Sequence, residues 1–106
     1  MNDRHFADYC IAGFTYYDGV DVFNELRIGT PLSLKAEPEN TYDNHAVAIY
    51  YQKAKIGYVP SAENDMLSKF LNLGYSDLFE VKISQISPNA HPEKQVRVVV
   101  RICGKK

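Results

Sequence analysis

Residues 37–47 read EPENTYDNHAV and place Glu37, Glu39, Asn40, Tyr42, Asp43 and His45 within one short stretch. Carboxylates there can accept hydrogen bonds from hydroxyl groups or hold a hard cation. Tyr42 offers a flat ring for stacking, and His45 offers a candidate phosphate or base contact. A second acidic group, Asp18, Asp21 and Glu25, lies upstream. Either group could in principle hold Mg²⁺ for nuclease chemistry. Neither has a His or Lys partner at a recognisable spacing, and His5, His45 and His91 are too scattered to imply a metal site. The chain contains no phosphate-binding glycine loop, no GxGxxG and no Ser/His/Asp order. The expectation is a binding protein without catalysis and without a cofactor.

A binding turn needs rigid elements on either side. The chain has 106 residues, enough for one domain, 1–106, and too few for two. FADYCIAGF (6–14) reads as a first strand and DVFNELRIG (21–29) as a short helix. TPLSLKA (30–36), AVAIYYQ (46–52) and IGYVP (56–60) read as strands, the last two forming a hairpin across QKAK. Ser61 is a good N-cap for the helix AENDMLSKFLNLG, with Met66, Leu67, Phe70, Leu71 and Leu73 as its apolar stripe and Gly74 as its stop. DLFEVKISQI (77–86) and KQVRVVVRIC (94–103) complete six strands; Val96, Val98, Val100 and Ile102 alternate with outward Arg97 and Arg101. These elements predict a mostly β fold with one or two helices, a small six-stranded OB-like or SH3-like β-barrel.

Composition narrows the partners. Twelve Lys and Arg against thirteen Asp and Glu give a net charge of −1. A protein that grips long duplex DNA through many phosphates is normally basic, so any nucleic-acid binding here must be local. Eight tyrosines are the one unusual count. No apolar run approaches a membrane span, and the N-terminal residues lack the pattern of a secretory signal, which points to the cytoplasm. Cys10 and Cys103 then read as two reduced, mostly buried thiols rather than a disulfide. A monomer or weak dimer is expected.

The segments GFTYYDG (13–19), LSLKAEPENTYDNHAVAIY (32–50) and IGYVPSAEN (56–64), followed by an amphipathic helix, resemble the HIRAN domain. The resemblance covers residues 8–102. Its signature is an acidic residue, then Pro-x-Asn-x-Tyr-Asp-x-x-Ala-Val, then Ile-Gly-Tyr-Val-Pro. It implies a modified OB-like barrel, found fused to helicases and nucleases or standing alone. The implied function is recognition of single-stranded DNA or DNA ends at a free 3′-OH, with a helicase or nuclease acting in trans and a place in DNA repair. The alternative is a protein-interaction or regulatory domain that keeps the barrel without useful DNA binding.

By that resemblance Tyr16, Tyr42 and Asp43 form the pocket: rings for the base, a carboxylate for the terminal hydroxyl. A 3′-phosphate would meet that carboxylate as an unpaired repulsion. Of Tyr16 and Tyr17, Tyr16 is expected outside and Tyr17 as a plug in the barrel. The chain departs from the DNA-binding members where they carry Arg, His and Lys; Thr15, Tyr58 and Ser61 stand there instead. Lys35, Lys53, Lys55, His45, Arg97 and Arg101 are the available substitutes for phosphate contacts. Of these, Lys53 and Lys55 read as a solvated hairpin tip, Arg97 and Arg101 as a wet outer face, and His45 as a surface partner of Asp43. The candidate interface is therefore Tyr16, Tyr17, Tyr42, Asp43, His45, Tyr58 and Lys35.

Overall fold

The computed structural model describes residues 4–14, 17, 19–91 and 94–103. Six antiparallel strands form one curled sheet: β1 (Arg4–Cys10), β2 (Pro31–Ala36), β3 (Val47–Tyr51), β4 (Ala54–Tyr58), β5 (Phe79–Ile86) and β6 (Val96–Ile102). Their order across the sheet is β1-β6-β5-β2-β3-β4. Two helices join them: α1 (Gly19–Val22) and α2 (Asp65–Asn72). The expected small six-stranded OB-like barrel forms as a curled half-barrel.

Alternation sets which face is buried. Val96, Val98 and Val100 on β6 and Val81 and Ile83 on β5 point into the core, while Lys82, Ser84 and Arg101 between them are exposed. On β3 the consecutive residues Val47, Ala48 and Ile49 are all buried, so this strand is covered on both faces. Tyr9, Ile11, Phe14, Leu26 and Leu67 fill the space the curled sheet encloses. The β3–β4 hairpin turns on two residues, with Gln52 left-handed at φ 54°.

The first strand does not simply stop near residue 14; it changes partner. β1 pairs with β6 through Cys10, and the Ile11 N–H still donates to the Val96 carbonyl at 2.9 Å. Ala12 then crosses to β4, donating to the Tyr58 carbonyl at 2.8 Å and accepting from the Tyr58 N–H at 2.9 Å. This exchange joins the two outer strands of the sheet. It requires a residue without a side chain beside it. A Cβ on Gly57 would lie 2.3 Å from Ile11 Cγ2 and 2.6 Å from the Ala12 carbonyl oxygen, and its φ is +149°.

Several helix expectations need correction. The segment 21–29 is not one helix. Four α-helical residues, Gly19–Val22, pass into a 3₁₀ turn, Phe23–Glu25, and Leu26 is already extended and buried. The β-branched and Asn residues there favour helix weakly, and the Arg27 guanidinium ends the segment by donating to the Asn24 and Leu26 carbonyls at 2.6 and 2.9 Å. Ser61 opens a 3₁₀ turn, Ser61–Glu63, and Asn64 takes the N-cap position of α2. The stripe of α2 is narrower than expected: Leu67 is fully buried and Phe70 and Leu71 partly so, whereas Met66 and Leu73 are exposed. Gly74 closes the helix at φ +92° as expected. Cys10 lies opposite Arg97 while Cys103 follows Ile102, which faces Arg4, so the two thiols sit at opposite ends of the β1–β6 ladder.

Gly57→Ala is expected to destabilise the domain by about 3 kcal/mol or more, because strain and a backbone clash coincide. Gly29→Ala, at φ +91° with nothing within 4 Å of its Cβ, should cost only about 1–2 kcal/mol from the backbone alone. Urea unfolding of the two variants beside the wild type measures the difference; equal losses would show that the seam is not tightly packed.

Candidate functional site

The turn that begins at Glu37 folds on itself. The Asn40 carboxamide oxygen accepts from the Tyr42 N–H at 2.8 Å and the Asp43 N–H at 3.1 Å, while its amide donates to Glu37 Oε1 at 3.1 Å. Asp43 Oδ1 accepts from the His45 N–H at 2.9 Å, and the Asp43 carbonyl from the Ala46 N–H at 3.0 Å. These are side-chain turns of the kind that Asn and Asp make readily. Their effect is to send Tyr42 outward, where it is 97% exposed.

The second Asp43 oxygen is held from another part of the chain. Asn64, buried at the start of α2, donates from its amide to Asp43 Oδ2 at 2.9 Å. The Asn64 amide, with the His45 N–H, holds the Asp43 carboxyl below its ordinary value, against the opposing effect of partial burial. Asp43 is thus an ionised acceptor at neutral pH, and each oxygen keeps lone-pair capacity beyond the one bond it accepts.

Facing this turn is an aromatic wall placed by the strand seam. Tyr58 stands at the end of β4, and the Tyr17 ring meets it edge-to-face with centroids 5.4 Å apart. Behind the wall lies a three-residue network. Tyr58 donates its hydroxyl to Glu37 Oε1 at 2.7 Å; Lys55 donates to Glu37 Oε2 at 2.8 Å and to the Tyr58 oxygen at 3.1 Å. The Lys55 ammonium also lies 5.6 and 5.1 Å from the Tyr17 and Tyr58 ring centroids. The pair with Glu37 raises the Lys55 value against partial burial. Partial burial pushes Glu37 upward, but the bonds from Lys55, Tyr58 and Asn40 outweigh it and leave its carboxyl below the ordinary value.

Between turn and wall opens a cleft of about 360 Å³, lined by Ala12, Tyr17, Asn40, Tyr42, Asp43, Ala46, Tyr58, Val59, Ser61 and Asn64. Ala12, Ala46 and Val59 contribute apolar surface, Tyr17, Tyr42 and Tyr58 aromatic surface, and Asn40, Asp43, Ser61 and Asn64 polar groups. No Lys or Arg lines it among the described residues.

Of the expected interface, Tyr17, Tyr42, Asp43 and Tyr58 come together here, and Tyr16 lies outside the described residues. Tyr17 is 40% exposed rather than a barrel plug, because its ring leans on Tyr58 at the rim. His45 gives its backbone to Asp43, but its ring turns away to Asp65 at 3.5 Å and lines a neighbouring hollow with Lys69. Lys35 is exposed on β2, beside Glu37 and Glu39 and outside the cleft. Lys55 is not a solvated tip: its side chain is 27% exposed and ion-paired. Arg97 likewise pairs with Asp8 on β1, on the other side of the sheet order. Asn64 is the contributor that sequence reading missed, while Glu37, Asn40 and Lys55, though named there, stood outside the expected interface. Asn64 could have been found as an Asn directly before the best helix. Of the acidic groups, Asp18 lies outside the described residues, and among those described no three His, Cys, Asp or Glu are grouped as a metal requires. No helix among them is long and apolar enough to cross a membrane.

Comparison with known proteins agrees with the fold. A crystal structure of a protein from Lactobacillus plantarum superposes with a TM-score of 0.80 at 20% identity, covering 94% of each chain. The crystal structure of the HIRAN domain of human HLTF superposes with a TM-score of 0.70 at 17% identity, over 94% of this chain and 78% of that one. At such identities the likeness is one of fold. No curated protein matches the sequence. The sequence profile of the HIRAN domain matches residues 6–103, and the chain therefore belongs to the HIRAN domain family.

Proposed function

We propose that this domain is a non-catalytic nucleic-acid-binding module that takes the 3′ end of single-stranded DNA into the cleft between Tyr42 and the Tyr17–Tyr58 wall. The observation that carries the reading is the composition of that cleft: three tyrosine rings, one ionised carboxylate with spare acceptor capacity, and no lining cation among the described residues. Rings supply base stacking worth about 1–3 kcal/mol per base. An ionised carboxylate accepts a hydrogen bond from a free hydroxyl and repels a phosphate. A cleft without a cation suits a terminal nucleoside better than an internal phosphate. Family membership supports the same class of ligand, since HIRAN domains serve as DNA-binding modules. With few phosphates neutralised, the affinity is micromolar or weaker and only mildly salt-dependent. A helicase or nuclease acting in trans is the natural user of such a module, in the cytoplasm and in DNA repair.

The absence of a lining cation among the described residues also favours a second reading, in which the exposed tyrosines meet a protein instead. Aromatic residues are enriched at protein interfaces for the same amphipathic reasons.

Fluorescence polarisation with a labelled ten-nucleotide strand separates the two. The strand with a free 3′-OH is expected to bind and the same strand ending in a 3′-phosphate to bind much more weakly. Tyr42→Ala should weaken binding by about tenfold or more, one stacked base, with an unchanged Tm because the side chain is almost fully exposed. Asp43→Asn should erase the preference for the free hydroxyl, with some loss of Tm because both carboxylate oxygens also tie the turn together. A folded wild type that binds neither strand would leave the protein-interface reading standing.

A pH series follows from the lowered Asp43 value. A depressed carboxylate contributes above its ordinary pKa of 3.8 and is lost as pH falls through the lower folded-state value. Binding of the 3′-OH strand is therefore expected to stay flat from neutral pH down to the ordinary carboxylate range and to fall only below it. A decline centred near pH 6 to 7 would instead implicate a histidine.

A further inference from the structure

The Glu37–Lys55 pair sits directly behind the aromatic wall of the cleft, and Lys55 is the cation that both wall rings touch. Its ammonium donates to Glu37 Oε2 at 2.8 Å and to the Tyr58 oxygen at 3.1 Å, and lies 5.6 Å from the Tyr17 ring centroid. Glu37 is itself committed on both oxygens, to Tyr58 and Asn40 on one and to Lys55 on the other. Both side chains are largely shielded, at 27% and 21% exposure, so screening by solvent is incomplete. Lys55 is close enough to the cleft to touch two of its lining rings, yet it does not line the cleft. Its charge is cancelled within one hydrogen bond.

We infer that Glu37 is a specificity-determining residue: by sequestering Lys55 it keeps the cleft free of positive charge and so biases it toward a terminal hydroxyl and against a terminal phosphate. The inference rests on the end-capture reading proposed above and deepens it. Asp43 rejects a phosphate by repulsion, and Glu37 does so by withdrawing a neighbouring cation that would offset that repulsion. Selectivity of this kind comes from removing attraction for the wrong ligand as much as from adding it for the right one. The pair also sets the Tyr58 hydroxyl, which donates to Glu37 and is therefore turned away from any ligand in the cleft.

The test is a gain of function. Wild type, Glu37→Gln, Lys55→Met and the double variant are compared on the 3′-OH and 3′-phosphate decanucleotides over a range of salt. Glu37→Gln is expected to strengthen binding of the phosphate-ended strand by about tenfold, the scale of one hydrogen bond to a charged group. Its salt dependence should steepen by about 0.7 in log–log slope, one counterion on a single strand. Adding Lys55→Met to Glu37→Gln should cancel both changes. A merely structural Glu37 would lower Tm and weaken both strands together with no change in slope, which would overturn the inference. Wild type binding the 3′-OH strand while Glu37→Gln leaves the ratio of the two strands unchanged overturns this inference alone. Wild type binding neither strand overturns the end-capture reading and this inference with it. The ring-shifted Lys55 ε-methylene signals in wild type, and their loss in Glu37→Gln, report by NMR whether the clamp was released in each case.

Discussion

A single two-bond exchange between Ala12 and Tyr58 determines most of this structure. A six-stranded antiparallel sheet left open would present β1 and β4 as bare edges, with unpaired backbone groups and an exposed apolar concavity. The seam brings those edges together, encloses Ile11 and Phe14, and fixes the last residue of β4 in space. That residue is Tyr58, so the interaction that bridges the two outer strands also positions one wall of the cleft. Gly57 is the local condition for it, because only a residue lacking Cβ lets the two backbones approach so closely.

The two sides of the cleft are organised by different physics. The turn from Glu37 to Ala46 is held by short-range bonds in which Asn40 and Asp43 replace backbone partners. The wall is held by tertiary contacts, Tyr17 on Tyr58 and both against Lys55. Asn64 ties the turn to the start of α2 by giving its amide to Asp43 rather than to the end of its own helix. A buried polar residue bonded across two elements favours one arrangement of loop and helix. The Asp43 carboxylate therefore has a structural duty and a lining position at once, and the one does not exclude the other.

Sequence reading captured what depends on period and local chemistry. The alternation Val96, Val98, Val100 and the signature Asn40-Thr41-Tyr42-Asp43 were sufficient for the barrel and for the polar turn. It failed where a tertiary partner overrode a local preference. Ser61 is a better cap by type than by place, because the buried Asn64 is recruited to Asp43. Met66 and Leu73 fit a helical stripe, but the curled sheet is wide enough to cover only the Leu67 side of α2. Lys55 looked like a hairpin tip because nothing in its neighbourhood announces Glu37, eighteen residues earlier. Long-range pairs of opposite charge leave no period to read.

The contrast between the self-bonded turn and the seam-dependent wall carries a kinetic consequence. Contacts two or three residues apart close with little loss of chain entropy, so the Asn40–Asp43 turn forms as soon as its flanking strands collapse. The Ala12–Tyr58 exchange joins distant parts of the chain, at a larger cost in loop-closure entropy. A nearly folded chain therefore holds half a cleft, with the carboxylate in place and the rings still adrift. In the native ensemble the same ordering runs backwards. The seam is the natural point of fraying, and slow amide exchange at Ala12 and Tyr58 would report, residue by residue, how long the binding cleft stays whole.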